Sequence, residues 1–225
     1  MINWIKEIQK YNKTSMKMLD VGCSFGKYIK DMRDYGGFSV TGVELNEEMC
    51  KIGREKFGLD IRQGDLLKQN FDNSSFDIVI MSHIIEHLYN PRETVEEVYR
   101  ILSSNGLVLI RTPNTATLEI KIFGKYWFPF DAPRHIVLFN EKNLRLLLSQ
   151  FGFTTRKVIY EKTPNNIILS IKNYLIDKKH HKAIIDFFSL NNYFLLALFT
   201  PISFILGLLK TSGRITILAQ KNELD

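Results

Sequence analysis

Cysteine is scarce in this chain of 225 residues: Cys23 and Cys50 are the only two, and their spacing fits no metal-binding pattern. That argues against a disulfide scaffold and for a reducing, cytoplasmic setting. Charge of one sign is also in short supply. Thirty Lys and Arg against 24 Asp and Glu leave a formal charge of +6, which permits attraction to an anionic surface without requiring it. No Lys/Arg run alternates with aromatics as a nucleic-acid groove would need, so no nucleic-acid partner is expected. Internal repeats and low-complexity segments are missing too. The opening stretch MINWIKEIQKYNK carries Lys6, Glu7, Lys10 and Lys13 and lacks the apolar core of a secretory leader. It is expected to form an amphipathic helix with Trp4, Ile5 and Ile8 on one face. What is present is globular: 45% hydrophobic and 24% charged residues, in a chain long enough to bury a full core.

The organising stretch is KMLDVGCSFGKY, residues 17–28. A short apolar strand (Met18, Leu19, Val21) runs into a turn containing Gly22 and Gly26, and then into a helix. Glycine lets backbone turn sharply and lie against a ligand, and a helix start aims free N–H groups at it. Asp20 places a carboxylate beside that ligand. Downstream the pattern repeats: a strand over Phe38–Leu45 ending at Glu44, a helix from the N-cap Asn46 to Gly58, and a strand over Leu59–Asp65 ending at Asp65. A fourth, Phe76–Met81, leads to Ser82 and His83, and Pro91 opens a helix to Leu102. Asn105 and Gly106 then turn the chain into a fifth strand, Leu107–Thr112. Strands alternating with helices of this length predict βαβ units and a parallel sheet, with the ligand beyond the strands' carboxyl ends. Asp20, Glu44, Asp65 and Ser82–His83 all fall on that rim. Glu44 suits both hydroxyls of a ribose and Asp65 an exocyclic adenine amine, their bland alternatives being a helix-capping acid and a turn residue. The turn does not match G-x-G-x-x-G, which favours a cofactor with ribose and adenine but no pyrophosphate.

Here LDVGCSFGKY, VTGVELNEEM, QGD, FDIVIMSHIIEHL and LSSNGLVLIRTPN, taken in order, resemble the motifs of class I S-adenosylmethionine-dependent methyltransferases, in the group that holds ubiquinone O-methylases and many sugar and small-molecule methylases. The resemblance covers Met16–Thr112 well and extends to roughly Tyr160. It implies an α/β, Rossmann-like, mostly parallel seven-stranded sheet with helices on both faces. It further implies S-adenosylmethionine as cofactor, with Asp20, Gly22 and Gly26 at the methionyl end, Glu44 at the ribose, Asp65 at the adenine, Ser82 and His83 beside the methionyl group and sulfonium, and Leu45 among the cofactor-binding residues. Ser24 departs from the commonest pattern, which has glycine there. An activated methyl asks the protein to align a nucleophile and, for a hydroxyl, to remove a proton. Histidine suits that task, and His83, His87 and His135 are the candidates, His83 first by position. Ubiquinone O-methylases add a glutamate to the Glu-His pair to hold a divalent ion. His83 stands at that place here, so no metal ligand is assigned, and Glu86 is read as orienting a histidine or starting a helix. His135 lies in an aromatic loop (Tyr126, Trp127, Phe128, Phe130) that reads as a substrate lid or as a plain Pro turn, with Arg134 able to grip an anion.

A helix over Asn140–Phe151, a strand over Phe153–Tyr160 and a final strand over Arg214–Lys221 complete the pattern. Between the last two lies an apolar insertion, residues 161–213, with the uncharged run Phe187–Leu209. The run is long enough to span a bilayer, but spanning would strand the final strand on the far side. Two shorter helices folded back at Thr200–Pro201 are expected, flanked by Lys178–Lys182, Lys210 and Arg214, as an interfacial anchor at the inner face of a membrane, a wall for a hydrophobic acceptor, a buried cap or a dimer contact. Residues 1–160 with 214–225 form the expected catalytic domain. The leading reading is methyl transfer to an oxygen, less readily nitrogen or carbon, of a small-molecule, glycan or lipid-linked acceptor. The alternatives are a nicotinamide-dependent sugar-nucleotide oxidoreductase and a silent cofactor-binding module.

Overall fold

Near-continuous apolar runs, buried on both faces, build the central strands of the sheet. The computed structural model describes residues 16–222, so the amphipathic helix expected at the N-terminus lies outside the described residues. Strands β1 (Lys17–Val21), β2 (Ser39–Glu44), β3 (Asp60–Gln63), β4 (Phe76–Ser82), β5 (Leu102–Pro113), β6 (Phe153–Tyr160) and β7 (Arg214–Lys221) form one seven-stranded sheet in the order β3-β2-β1-β4-β5-β7-β6. β7 alone runs antiparallel to its neighbours. Leu19, Val21, Val79 and Met81 face one core with Val95, Val98 and Leu148. Met18, Ile78 and Ile80 face the other with Met32. The alternation covers both faces with helices: α1 (Lys27–Gly36), α2 (Glu47–Phe57), α3 (Pro91–Ile101), α4 (Leu118–Phe123) and α5 (Glu141–Gln150). β1 pairs with both β2 and β4, so the strand order reverses there and opens a crevice at the carboxyl ends.

Caps expected from the sequence are in place. Asn46 accepts from the Met49 amide, and Gly58 ends α2 in the left-handed region at φ 59°. The Asn105–Gly106 turn differs from expectation, because β5 already starts at Leu102. Leu102 pairs with Phe76 and Leu107 with Ile78, so residues 103–106 form a bulge inside the strand with Asn105 at φ 61°.

The apolar insertion holds α6 (Asn165–Asp177), α7 (Lys182–Phe187) and α8 (Tyr193–Leu208). The expected fold-back at Thr200–Pro201 is not there: Pro201 sits inside α8. Leu195 before the proline and Leu206 beyond it are both buried on the same side, so packing holds the two halves on one axis. The cost is confined to an exposed stretch, where Thr200 Oγ1 donates to the Leu196 carbonyl at 2.6 Å. α6 to α8 join the end of β6 to the start of β7, on the rim where β1 and β4 end.

Gly26 opens α1 at φ 78°, and a Cβ there would lie 2.5 Å from Leu59 Cδ1. Gly26→Ala is expected to lower unfolding free energy by about 1–3 kcal/mol, through backbone strain plus overpacking, as read by denaturant titration. An unchanged midpoint would contradict this reading of the turn.

Candidate active site

Two cavities open at the crevice, and Gly22 lines both. The first, ≈ 120 Å³, is bordered by Glu44, Leu45, Asp65, Ile84 and Leu88. The second, ≈ 420 Å³, is bordered by Asp20, Cys23, Tyr28, Ser82 and Arg111. Gly22 stands at φ 74°, and a Cβ on it would meet Ile84 Cδ1 at 2.0 Å, so a side chain would jam the joint. Gly26 lines neither cavity; it caps α1.

The carboxylate of Glu44 is fixed across the mouth of the glycine turn. Its Oε2 accepts from the Ser24 amide and its Oε1 from the Asn46 amide, both at 2.9 Å. Ser24 occupies the left-handed region at φ 52°, which explains why glycine is the commoner choice there. Leu45 is 70% exposed, an apolar surface open to the first cavity. Asp65 caps the short turn Leu66–Lys68 by accepting from the Leu67 amide, with its other oxygen left to the cavity. Asp20 is buried, and no cation among the described residues pairs with it. Burial, reinforced by the Glu44 charge, pushes its carboxyl up to about 7. Burial likewise pushes the Tyr28 hydroxyl up to about 12, keeping it a donor.

The three histidines converge on one acid. Glu86 is 0% exposed. His83 leaves β4 at φ 59° and donates Nδ1–H to Glu86 Oε1 at 3.0 Å, while Thr112 Oγ1 donates to Oε2 at 3.0 Å. The Glu86 carbonyl accepts from the Ile136 and Val137 amides. His87 Nδ1 meets the Arg134 carbonyl at 2.8 Å, and His135 Nδ1 the Pro129 carbonyl at 2.6 Å. A carbonyl only accepts, so Nδ1 carries a proton in both, and Nε2 is the nitrogen left free of that contact. The rings of His87 and His135 lie 4.7 Å apart. Glu86, His87 and His135 each offer a ligand atom within 4.8 Å of the others, a spacing a divalent ion can bridge.

The sequence reading missed Arg111, Thr112 and Tyr28. The first two end β5, so the strand-end rule that found the other rim residues would have found them. Arg111 Nε pairs with Glu161 Oε1 at 2.6 Å. Arg134 pairs with Asp131 at 2.6 Å and projects outward. Trp127 is buried, its Nε1 donating to Glu119 Oε2, and the Phe128 amide donates to Ser170 on α6. The aromatic loop is thus anchored up to Phe130.

Residues 1–158 match a family described as a methyltransferase domain. The chain belongs to that family. The motif resemblance to class I S-adenosylmethionine-dependent methyltransferases is upheld. A probable S-adenosylmethionine-dependent methyltransferase of Mycolicibacterium smegmatis is 32% identical over 103 residues, 45% of this chain and 40% of that protein. The ubiquinone biosynthesis O-methyltransferase of Maricaulis maris is 28% identical over 155 residues, 63% of this chain and 60% of that protein. The matched stretch thus spans less than two thirds of either relative. A SAM-dependent methyltransferase from Archaeoglobus fulgidus superimposes over 97% of this chain and 92% of its own, with a TM-score of 0.63 at 19% identity, a likeness of fold. A Haemonchus contortus phosphoethanolamine N-methyltransferase 2, solved with S-adenosyl-L-methionine, does so over 98% of this chain and 53% of its own, at 0.64 and 22%.

Asp20 makes folding pH-dependent in a direction opposite to a salt-bridged acid. Its carboxyl holds its proton up to about 7 in the folded state and only to about 4 when unfolded. Between these values the folded state binds more protons, so stability falls as pH rises. Asp20→Asn is expected to flatten that slope and raise the melting temperature at pH 8. A steeper slope or a lower melting temperature there would contradict it.

Proposed function

We propose that this protein transfers a methyl group from S-adenosylmethionine to an oxygen of a small-molecule, glycan or lipid-linked acceptor, with His83 as the base. The observation that carries the reading is the His83–Glu86 contact at the exit of β4, between Ser82 on one cavity and Ile84 on the other. The two cavities suit the cofactor on physical grounds. Glu44 and Asp65 offer acceptors for ribose hydroxyls and an adenine amine, and Leu45 an apolar wall. Buried Asp20 lacks the positive charge that an amino-acid ammonium and a sulfonium bring. When bound, that cofactor supplies an already activated methyl group. The chain then has two tasks. Ser82, Tyr28 and Arg111 line the space where the reacting end and its carboxylate would be oriented. His83 Nε2 takes the proton of an acceptor hydroxyl, while Glu86 steadies the imidazolium through Nδ1–H. His87 and His135 stand next in line as bases or as acceptor contacts.

Relatives are named for transfer to oxygen, as in the Maricaulis protein, and to carbon, as in a sterol 24-C-methyltransferase of Gibberella zeae. A positioned base favours oxygen, because a hydroxyl must lose its proton as it reacts. A nicotinamide-dependent activity finds no support in the turn, which lacks the glycine a pyrophosphate needs. A silent binding module would have no use for an oriented imidazole.

His83→Ala is expected to cut kcat by roughly 10²–10⁴-fold while leaving cofactor Kd within a few-fold. Turnover assays with labelled cofactor on quinone, saccharide and lipid-linked extracts, alongside calorimetric binding, provide the check. Wild-type turnover in the His83, His87 and His135 variants would overturn the base assignment. Cofactor affinity is expected to rise with pH through about 7 as Asp20 ionises against a cationic ligand, and Asp20→Asn to abolish that dependence.

A further inference from the structure

We propose that the outer face of α8, continued by α7, docks this protein onto an anionic lipid bilayer. Tyr193, Phe194, Leu198, Ile202, Ile205 and Leu208 are between 48% and 83% exposed, and their spacing places them on one side of the helix. Leu195, Ser203, Leu206 and Gly207 form the opposite, buried side. An ordinary surface helix turns its polar side outward; this one, 16 residues or about 24 Å long at 1.5 Å per residue, is uncharged throughout and exposes mostly apolar side chains. On the neighbouring α7, whose Phe187 carbonyl accepts from Asn192 at the start of α8, Ile184 and Phe187 are 45% and 49% exposed. Contiguous apolar surface of this extent marks an interaction site. Thr200, a polar side chain on that surface, turns its hydroxyl inward to the Leu196 carbonyl, which suits hydrocarbon better than water.

Charge identifies the partner. Residues 178–210 contain Lys178, Lys179, Lys182 and Lys210 against the single acid Asp186. Lys162 rests its ammonium 4.1 Å from the Phe204 ring centre, at the edge of the apolar face. None of these five lysines forms an ion pair among the described residues. A second copy seated on the face by two-fold symmetry would set lysine borders against each other, whereas phosphate headgroups neutralise them. No helix among the described residues is long and apolar enough to cross a membrane, so the contact is one of lying on the surface. α8 leads into β7 at the rim that carries the candidate site, which turns that rim toward the lipid. The inference stands on this surface alone and does not depend on the methyl-transfer reading.

Flotation of the full chain with vesicles tests it, using phosphatidylglycerol mixed into phosphatidylcholine, and phosphatidylcholine alone. The protein is expected to float with the mixed vesicles and far less with the neutral ones. Leu198→Glu with Ile205→Glu should abolish flotation. Lys162→Gln with Lys210→Gln, which leaves the apolar face intact, should weaken partitioning ~25-fold, from about fivefold per lysine. Circular dichroism and thermal melts matching the wild type establish folding of both variants. Absence of flotation on mixed vesicles, equal flotation on both kinds, or flotation indifferent to either pair of substitutions overturns the proposal. So does a dimer in light scattering that the glutamate pair dissolves while no vesicle binds, which would assign the face to a second copy.

Discussion

A carboxylate shut away from water must be held by donors, or its burial costs several kcal/mol. Glu86 is in that position, and its donors organise the candidate site. His83 reaches it from the end of β4 and Thr112 from the end of β5. Its own carbonyl takes two amides from the loop that carries His135. One residue therefore ties together two strand ends and a loop far along the chain. The consequence is orientation: each of the three imidazoles is held through Nδ1 and keeps its other nitrogen available. His83 also tolerates a left-handed backbone at φ 59°, a strain that the surrounding contacts must hold in place.

The sheet supplies the setting for that arrangement. Reversal of strand order between β1 and β4 opens a crevice, and Gly22 lines both of its cavities with the Ile84 side chain packed against it. On one side Glu44 is pinned by two amides; on the other, Asp20 is buried without a counter-charge among the described residues. The first carboxylate is held rigid; the second is disfavoured as a charge by its burial. The site is thus polarised along its length, with the histidine cluster at the joint.

Much of this was legible in the sequence because strand ends are legible. Alternation of strand and helix placed Asp20, Glu44, Asp65 and Ser82 on one rim, and the structure lines the two cavities with all four. Gly26 was read at the methionyl end of the cofactor; the structure places it as the cap of α1, packed against Leu59 and Ile61. Arg111 and Thr112 were read within the fifth strand, but the strand-end rule was applied only to the first four strands, so neither was given a place on the rim. The meeting of His87 with His135 lay beyond local pattern, since it depends on how the loop from Asp131 to Ile136 folds back on Glu86. Pro201 was read as a break by its local rule, and tertiary packing on both sides of it prevailed. The run Phe187–Leu209 announced its hydrophobicity plainly; which side of it faces outward required the fold.

A crystal structure with S-adenosylhomocysteine, the product left by methyl transfer, tests the central claim most directly. The account predicts ribose hydroxyls on Glu44, the amino-acid end in the cavity of Asp20 and Arg111, and the sulfur beside Ser82 with His83 still held by Glu86. A ligand bound elsewhere, or one whose sulfur points away from a His83 released from Glu86, would contradict it.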